Sequence, residues 1–437
     1  MSTDHKLSLP AAILVNINIM LGTGIFINTV ELSKRAGFLG SFMYPLIGLL
    51  ILPLIIIVAQ LMKLHPSGGF YTFGAQEIHP YAGFLSAWSY FTGKLASAML
   101  MIHVAMLLCQ YIIPTLASIN IFVLDALVLA LFIFLNTQNM RTGSRIQMGF
   151  LIVKLIPVLF VLLAGLFFLN PGSFDASTMV WSGIPLSLPL VLYAAAGFEA
   201  SCSLSSRIHN AERNGPRAIF ISFGLVMTVL FLFQFLFYAL LGDQLAAQAN
   251  YLGAFPALLG KLFGLTGQSL HTTAALFHLA IAASALGGSY GIIYSNMWNL
   301  YTIAQHGHIF FKNKFISLSA HHIPLACVLA EGILMGLYLA ISQGVQVPLQ
   351  QISALASAIS YSLCVASLVA AKRARFIITS WLTLLAGIIS CILLVGSCIR
   401  GLLISGLFPF IIFLGLLILG SIMFFSTNRI IIEKNNK

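Results

Sequence analysis

Three charged residues stand where charge is costly. Lys94 lies in Thr92-Gly93-Lys94-Leu95, near the middle of an apolar run long enough to cross a bilayer. Lys154 lies in Val153-Lys154-Leu155-Ile156-Pro157, well inside another such run, and Glu199 follows the small residues Ala194-Ala195-Ala196-Gly197. An ammonium inside a membrane costs at least ~2.5–3.5 kcal/mol on insertion scales, so such groups are functional candidates by default. Lys154 either loads and releases a proton or snorkels to the cytoplasmic interface, which its depth permits. Lys94 either faces a pocket, favouring acidic or neutral ligands over cations, or pairs with Glu199 as a structural ion pair. Glu199 reads as the only carboxylate near mid-depth, placed to couple protons or to brace the backbone through hydrogen bonds.

Two stretches of small residues interrupt otherwise bulky apolar runs: Gly22-Thr23-Gly24 in the first and Ala194-Ala195-Ala196-Gly197 in the sixth. Either alone reads as close helix packing. If five-helix units repeat, the first and sixth runs correspond, and paired interruptions at corresponding positions point to a binding site at mid-membrane.

The elements that must position these residues are membrane helices. Of 437 residues, 59% are hydrophobic and 7% charged, a balance no water-soluble fold can bury. At about 20 apolar residues per span, the sequence predicts twelve helices, near 9–32, 41–63, 82–113, 120–137, 147–169, 184–206, 217–241, 270–301, 323–342, 350–371, 376–397 and 402–425. The expected fold is an all-α integral membrane domain over 1–437: a first repeat (9–169), an inverted second repeat (184–371) and two peripheral helices (376–425). The first run is too long for a signal peptide and is read as a retained helix. Arg429–Lys437 is expected to be a short basic tail.

The formal charge of +11 is loop charge, not a nucleic-acid face. Most of the 21 Lys and Arg residues, among them Arg141, Arg375, Arg429, Lys434 and Lys437, fall in alternate loops and at the two ends; Lys34, Arg35, Lys261 and Arg400 fall in the intervening loops. That bias places both termini in the cytoplasm of a multi-pass cell-membrane protein. The six cysteines sit in apolar runs without a CxxC pair, and no cofactor or metal site is expected. His103, His271 and His278 read as lone packed histidines. His306, His308, His321 and His322 read as part of a solvated cytoplasmic loop.

Four motifs in order carry a resemblance. They are Gly22-Thr23-Gly24-Ile25-Phe26 in the first helix and Pro66-Ser67-Gly68-Gly69-Phe70-Tyr71 before the third. Gly197-Phe198-Glu199 follows in the sixth helix, and Asn214-Gly215-Pro216-Arg217-Ala218 opens the seventh. Over nearly the whole chain they resemble the amino acid–polyamine–organocation transporter superfamily. The resemblance implies a LeuT-like layout of two inverted five-helix repeats plus two peripheral helices, with alternating access about a site between helices one, three, six and eight. It implies an amino acid as substrate and protons as a partner: in related proton-coupled transporters a fifth-helix lysine, here Lys154, stands where sodium binds in sodium-coupled relatives. The counterpart of Glu199 is shared by differently coupled members, which implies bracing. Two departures stand out: the loop after the sixth helix reads Arg207-Ile208-His209-Asn210-Ala211-Glu212 where acidic residues are usual, and Ala195 replaces a frequent aromatic.

A zwitterion needs donors for its carboxylate and acceptors for its ammonium, and an unwound helix supplies both from backbone alone. Amides around Thr23, Gly24 and Ile25 are expected to face the carboxylate, helped by the positive end of the following half-helix. Carbonyls near Asn18, Ile19, Ala194 and Ala195 are expected to face the ammonium, and Gly22, Gly24 and Gly197 to allow the close approach. Tyr193 falls where some members carry an aromatic lid. Closure beyond the eighth helix is expected to involve the Tyr290–Tyr301 stretch. The rivals are an exchanger without net proton flux, a polyamine or organocation transporter, and an integral-membrane enzyme, for which only Arg207, His209 and Glu212 lie close together.

Overall fold

The computed structural model describes residues 6–66, 68–138, 140–169, 176–342, 345–374, 379–405 and 407–435. Ser67, Arg375 and Lys437 lie outside these, as do the side chains of Arg141, Arg429 and Lys434. Among the described residues the fold is all helix, and the only β pairing is an isolated parallel bridge between Leu7 and Ile208.

The helices used below are α1 (Leu9–Met20), α2 (Gly24–Ala36), α3 (Met43–Leu64), α4 (Phe70–Glu77), α5 (Pro80–Ile112), α6 (Ile121–Asn136), α7 (Met140–Phe168) and α8 (Ile184–Ala195). They continue with α9 (Ala211–Leu241), α10 (Ala254–Phe263), α11 (Gly267–Gln305), α12 (Leu325–Ser342), α13 (Gln346–Ala374), α14 (Trp381–Ser405) and α15 (Leu407–Asn435). Among the described residues eight helical stretches are long and apolar enough to cross a membrane, the first being the run Leu9–Leu64 that holds α1 to α3. Shorter apolar helices run over Ile121–Asn136, Trp181–Ala195, Tyr251–Phe263 and Leu325–Ala340. The protein is a multi-pass helical membrane protein.

Local chemistry sets the helix starts. Ser8 caps α1 by accepting from the Ala11 amide, Asn120 caps α6 by accepting from Phe122, and His79 precedes Pro80 at the first position of α5. Three elements depart from the sequence reading. The sixth run is helical only through Ala195, where a turn leads into the short helix Ala200–Ser203. The seventh helix starts at Ala211, six residues earlier than expected, and carries Pro216 within its second turn. The C-terminal segment is helix up to Asn435 rather than a separate tail.

The core forms where α5 packs against α11 and α13. Small residues permit the approach: a Cβ on Gly93 would lie 2.2 Å from the Ala356 methyl. Close backbone packing of this kind replaces the hydrophobic drive that lipid cannot supply. The outward faces of α7, α14 and α15 carry exposed Leu, Ile and Phe, as lipid contact requires.

Candidate functional site

Both expected interruptions are present, and they face each other. Helix α1 ends at Met20, Leu21–Thr23 leave the helical path, and Gly24 opens α2. Helix α8 ends at Ala195, and Ala196–Glu199 turn before Ala200–Ser203. The second interruption therefore lies slightly after the expected stretch: Ala194 and Ala195 are helical, and Gly197 makes the turn with φ +129°, which L side chains rarely adopt. The two meet at Gly24 and Ala194, where a Cβ on Gly24 would lie 2.6 Å from the Ala194 methyl. A Cβ on Gly197 would come within 2.8 Å of Ile19. Asn18, Ile19, Gly22, Thr23, Ile25, Tyr193 and Ala195 are all buried around this junction.

The first interruption is held from outside. Lys154 of α7 is fully buried and donates from Nζ to the carbonyls of Asn18 (2.8 Å) and Leu21 (2.7 Å). Burial and these bonds rule out the snorkelling geometry. The Asn18 carbonyl, expected to face a ligand ammonium, accepts from Lys154 in this structure. Ser284 of α11 donates to the carbonyls of Leu21 (3.0 Å) and Gly22 (3.2 Å). Asn18 donates from Nδ2 to the Gly287 carbonyl at 3.1 Å and to Gln147 Oε1 at 3.3 Å. Carbonyls freed by unwinding are thus satisfied by side chains from two other helices, as a membrane interior demands.

The second interruption is held partly from within. Glu199 is fully buried, and its Oε2 accepts the Gly197 amide at 2.8 Å. Its Oε1 pairs with Lys94 Nζ at 2.8 Å. Of the two arrangements open for Lys94, the structure adopts the pair. The Lys94 ammonium also lies 5.1 Å from the centre of the Tyr90 ring. Between the interruptions, the Tyr193 and Thr23 hydroxyls lie 3.1 Å apart. The first amides of α2, those of Gly24 and Ile25, have no acceptor one turn back, as at any helix start, and make its positive end.

On the side of the membrane that carries the chain's first described residues, Leu7 donates to the Arg207 carbonyl (2.7 Å) and accepts from the His209 amide (2.9 Å). The guanidinium of Arg207 lies 4.0 Å from the ring centre of Trp298 of α11. Trp298 is thus one member of the Tyr290–Tyr301 stretch that meets the segment following α8. The histidine loop is not wholly solvated: His308 is buried and bonded to the Tyr71 hydroxyl at 2.7 Å, and His306 stacks on the Tyr71 ring.

Besides Glu199, the carboxylates of Asp125 of α6 and Glu331 of α12 are fully buried. One further correction concerns a histidine. His103 is not a lone histidine: its Nδ1 lies 2.6 Å from Asp125 Oδ2. Both acids were visible as single charges in apolar runs. Ser284 gave no signal of its own, one small polar residue among many.

The fold is that of a multi-pass helical membrane protein whose two interrupted helices meet at Gly24 and Ala194. The profile of the amino acid permease family matches residues 7–413, and the chain belongs to that family, within the amino acid–polyamine–organocation superfamily. An uncharacterized transporter of Mycobacterium tuberculosis and one of Mycobacterium bovis are each 28% identical over 301 residues, 62% of this chain. The low-affinity putrescine importer PlaP of Escherichia coli is 24% identical over 248 residues, 53% of this chain. The matched stretches span 66% of the mycobacterial relatives and 53% of the putrescine importer.

Proposed function

We propose that this permease is a secondary active transporter of amino acids, working by alternating access and coupled to protons through Lys154. The observation that carries the reading is the buried Lys154 ammonium on the Asn18 and Leu21 carbonyls of the unwound segment. Charge-assisted bonds of this kind are roughly twice as strong as neutral ones. Loss of the proton weakens both, frees the end of α1 and biases the protein toward another state. A substrate carboxylate meets the amides of Thr23, Gly24 and Ile25 at the start of α2. Its ammonium meets the Ile19 carbonyl and the last carbonyls of α8 at Ala194 and Ala195. Gly22 and Gly197 allow the approach, and Tyr193 over Thr23 is the gate.

Twelve spans in two inverted repeats with two peripheral helices fit the helices described. The run Leu9–Leu64 supplies two spans, the other seven long stretches one each, and the shorter helices at 121–136, 181–195 and 325–340 the remainder. Tyr251–Phe263, which carries Lys261, then lies outside the bilayer on the far side. The bias of Lys and Arg toward alternate loops supports a cell-membrane location with cytoplasmic termini.

The test is uptake by reconstituted protein of a panel of radiolabelled amino acids at two external pH values. An inward proton gradient should drive accumulation, and Lys154→Ala should abolish it. Unchanged pH-driven accumulation in that variant would remove proton coupling. Counterflow that needs no proton gradient would mark an exchanger instead. A polyamine substrate is the second reading, favoured by the similarity to the putrescine importer.

A further inference from the structure

We propose that Lys94 sets the charge of the accepted substrate: by neutralising Glu199 it makes the site admit a net-neutral zwitterion and refuse diamines. The proposal rests on the amino acid reading above and sharpens it.

Glu199 is the acid adjoining either interruption, and the protein's own groups already engage it. Lys94 holds Oε1 at 2.8 Å and the Gly197 amide holds Oε2 at 2.8 Å. The hydroxyls of Tyr90 and Tyr361 face the same carboxylate. The ion pair with Lys94 already balances this carboxylate, so no net negative charge is left there for a ligand ammonium. At the other interruption the Lys154 ammonium occupies the carbonyls of Asn18 and Leu21. The protein's own cations thus hold the strong acceptors on both sides.

A zwitterion brings one anionic and one cationic end, matched by the open amides of α2 and the last carbonyls of α8. A diamine brings two cations and no anion. It would approach Lys94 and Lys154 with no free carboxylate to offset either, and juxtaposed like charges reject a ligand more effectively than absent contacts do. The same arrangement gives Lys94 a definite consequence: its removal exposes a buried acid beside the substrate path, and removal of Glu199 exposes a buried cation there.

The test uses the full chain in proteoliposomes with radiolabelled alanine, glutamate and putrescine. Wild type should take up alanine, with putrescine at background. Lys94→Met should raise the putrescine-to-alanine ratio by at least ~10-fold, and Glu199→Gln the glutamate-to-alanine ratio by a similar factor. The double variant Lys94→Met/Glu199→Gln should return both ratios to wild-type values. Breaking a buried pair is destabilising, so each variant is checked for monodispersity; if the single variants aggregate, the double variant decides, and putrescine uptake by it overturns the proposal. Alanine uptake with ratios unmoved by well-folded single variants overturns the role of Lys94 alone. Wild-type uptake of putrescine but of no amino acid overturns the amino acid reading with it.

Discussion

The two interrupted helices solve one problem by different means. Between α1 and α2 the loose carbonyls are gripped by Lys154 from α7 and Ser284 from α11. After α8 the turn carries its own brace, Glu199 folding back onto the Gly197 amide, with Lys94 of α5 outside it. On the proposed coupling, one interruption depends on the proton carried by Lys154; the other depends on a backbone angle and an ion pair. The difference teaches which end is free to respond to the cell. On that proposal a change of proton concentration acts on the first, and only a change of sequence acts on the second.

The largest expected effect breaks this contrast at its responsive end. Lys154→Ala removes the side-chain donor to the Asn18 carbonyl and leaves the Leu21 carbonyl to Ser284 alone, and pH-driven uptake in proteoliposomes should fall to background. Lys154→Arg keeps the charge but not the compact ammonium, and should not restore it. Next comes the fixed end. Gly197→Ala forces a side chain to φ +129° with a Cβ within 2.8 Å of Ile19. Strain of about 1–3 kcal/mol is expected, read as a lowered melting temperature in detergent and at least ~10-fold slower uptake at any pH. Gly24→Ala tests the junction itself: its methyl would lie 2.6 Å from that of Ala194. Uptake should drop severalfold with smaller loss of stability, because the clash exists only when the two half-helices are apposed. Tyr193→Phe removes one hydroxyl from the Thr23 contact, worth about 0.5–1.5 kcal/mol, and should show as a modest rise in the half-saturating concentration. The smallest effect is expected from Ser284→Ala, since Lys154 still holds the Leu21 carbonyl. A loss of proton coupling in this variant as complete as that of Lys154→Ala would break the assignment of the responsive role to the lysine.

The sequence made the interruptions legible because small residues in bulky apolar runs cannot be explained by burial alone. It made Lys154 and Glu199 legible because charge in such runs is rare. It could not choose between the two fates of Lys94, since pairing depends on the rotation of α5 about its axis, which only packing against α11 and α13 decides. The shift of the second turn from Ala194–Gly197 to Ala196–Glu199 was equally hidden. Alanine is the best helix former, so the helix persists through Ala195 until Gly197 permits a positive φ. His103 and Asp125 lie 22 residues apart in the chain on different helices, and neither predicts the other's facing. The burial of His308 follows from Tyr71 reaching it across the fold.

The bridge between Leu7 and Ile208 is made of main-chain atoms on both sides. Amide and carbonyl groups are common to nearly every residue, so this tie survives almost any substitution in either strand and leaves no trace in the letters of a sequence. Proline is the exception: placed at Leu7 or at His209 it deletes the donor. Such a fastening lets the neighbouring side chains drift freely while the leading edge of α1 stays moored to the segment beyond Gly197.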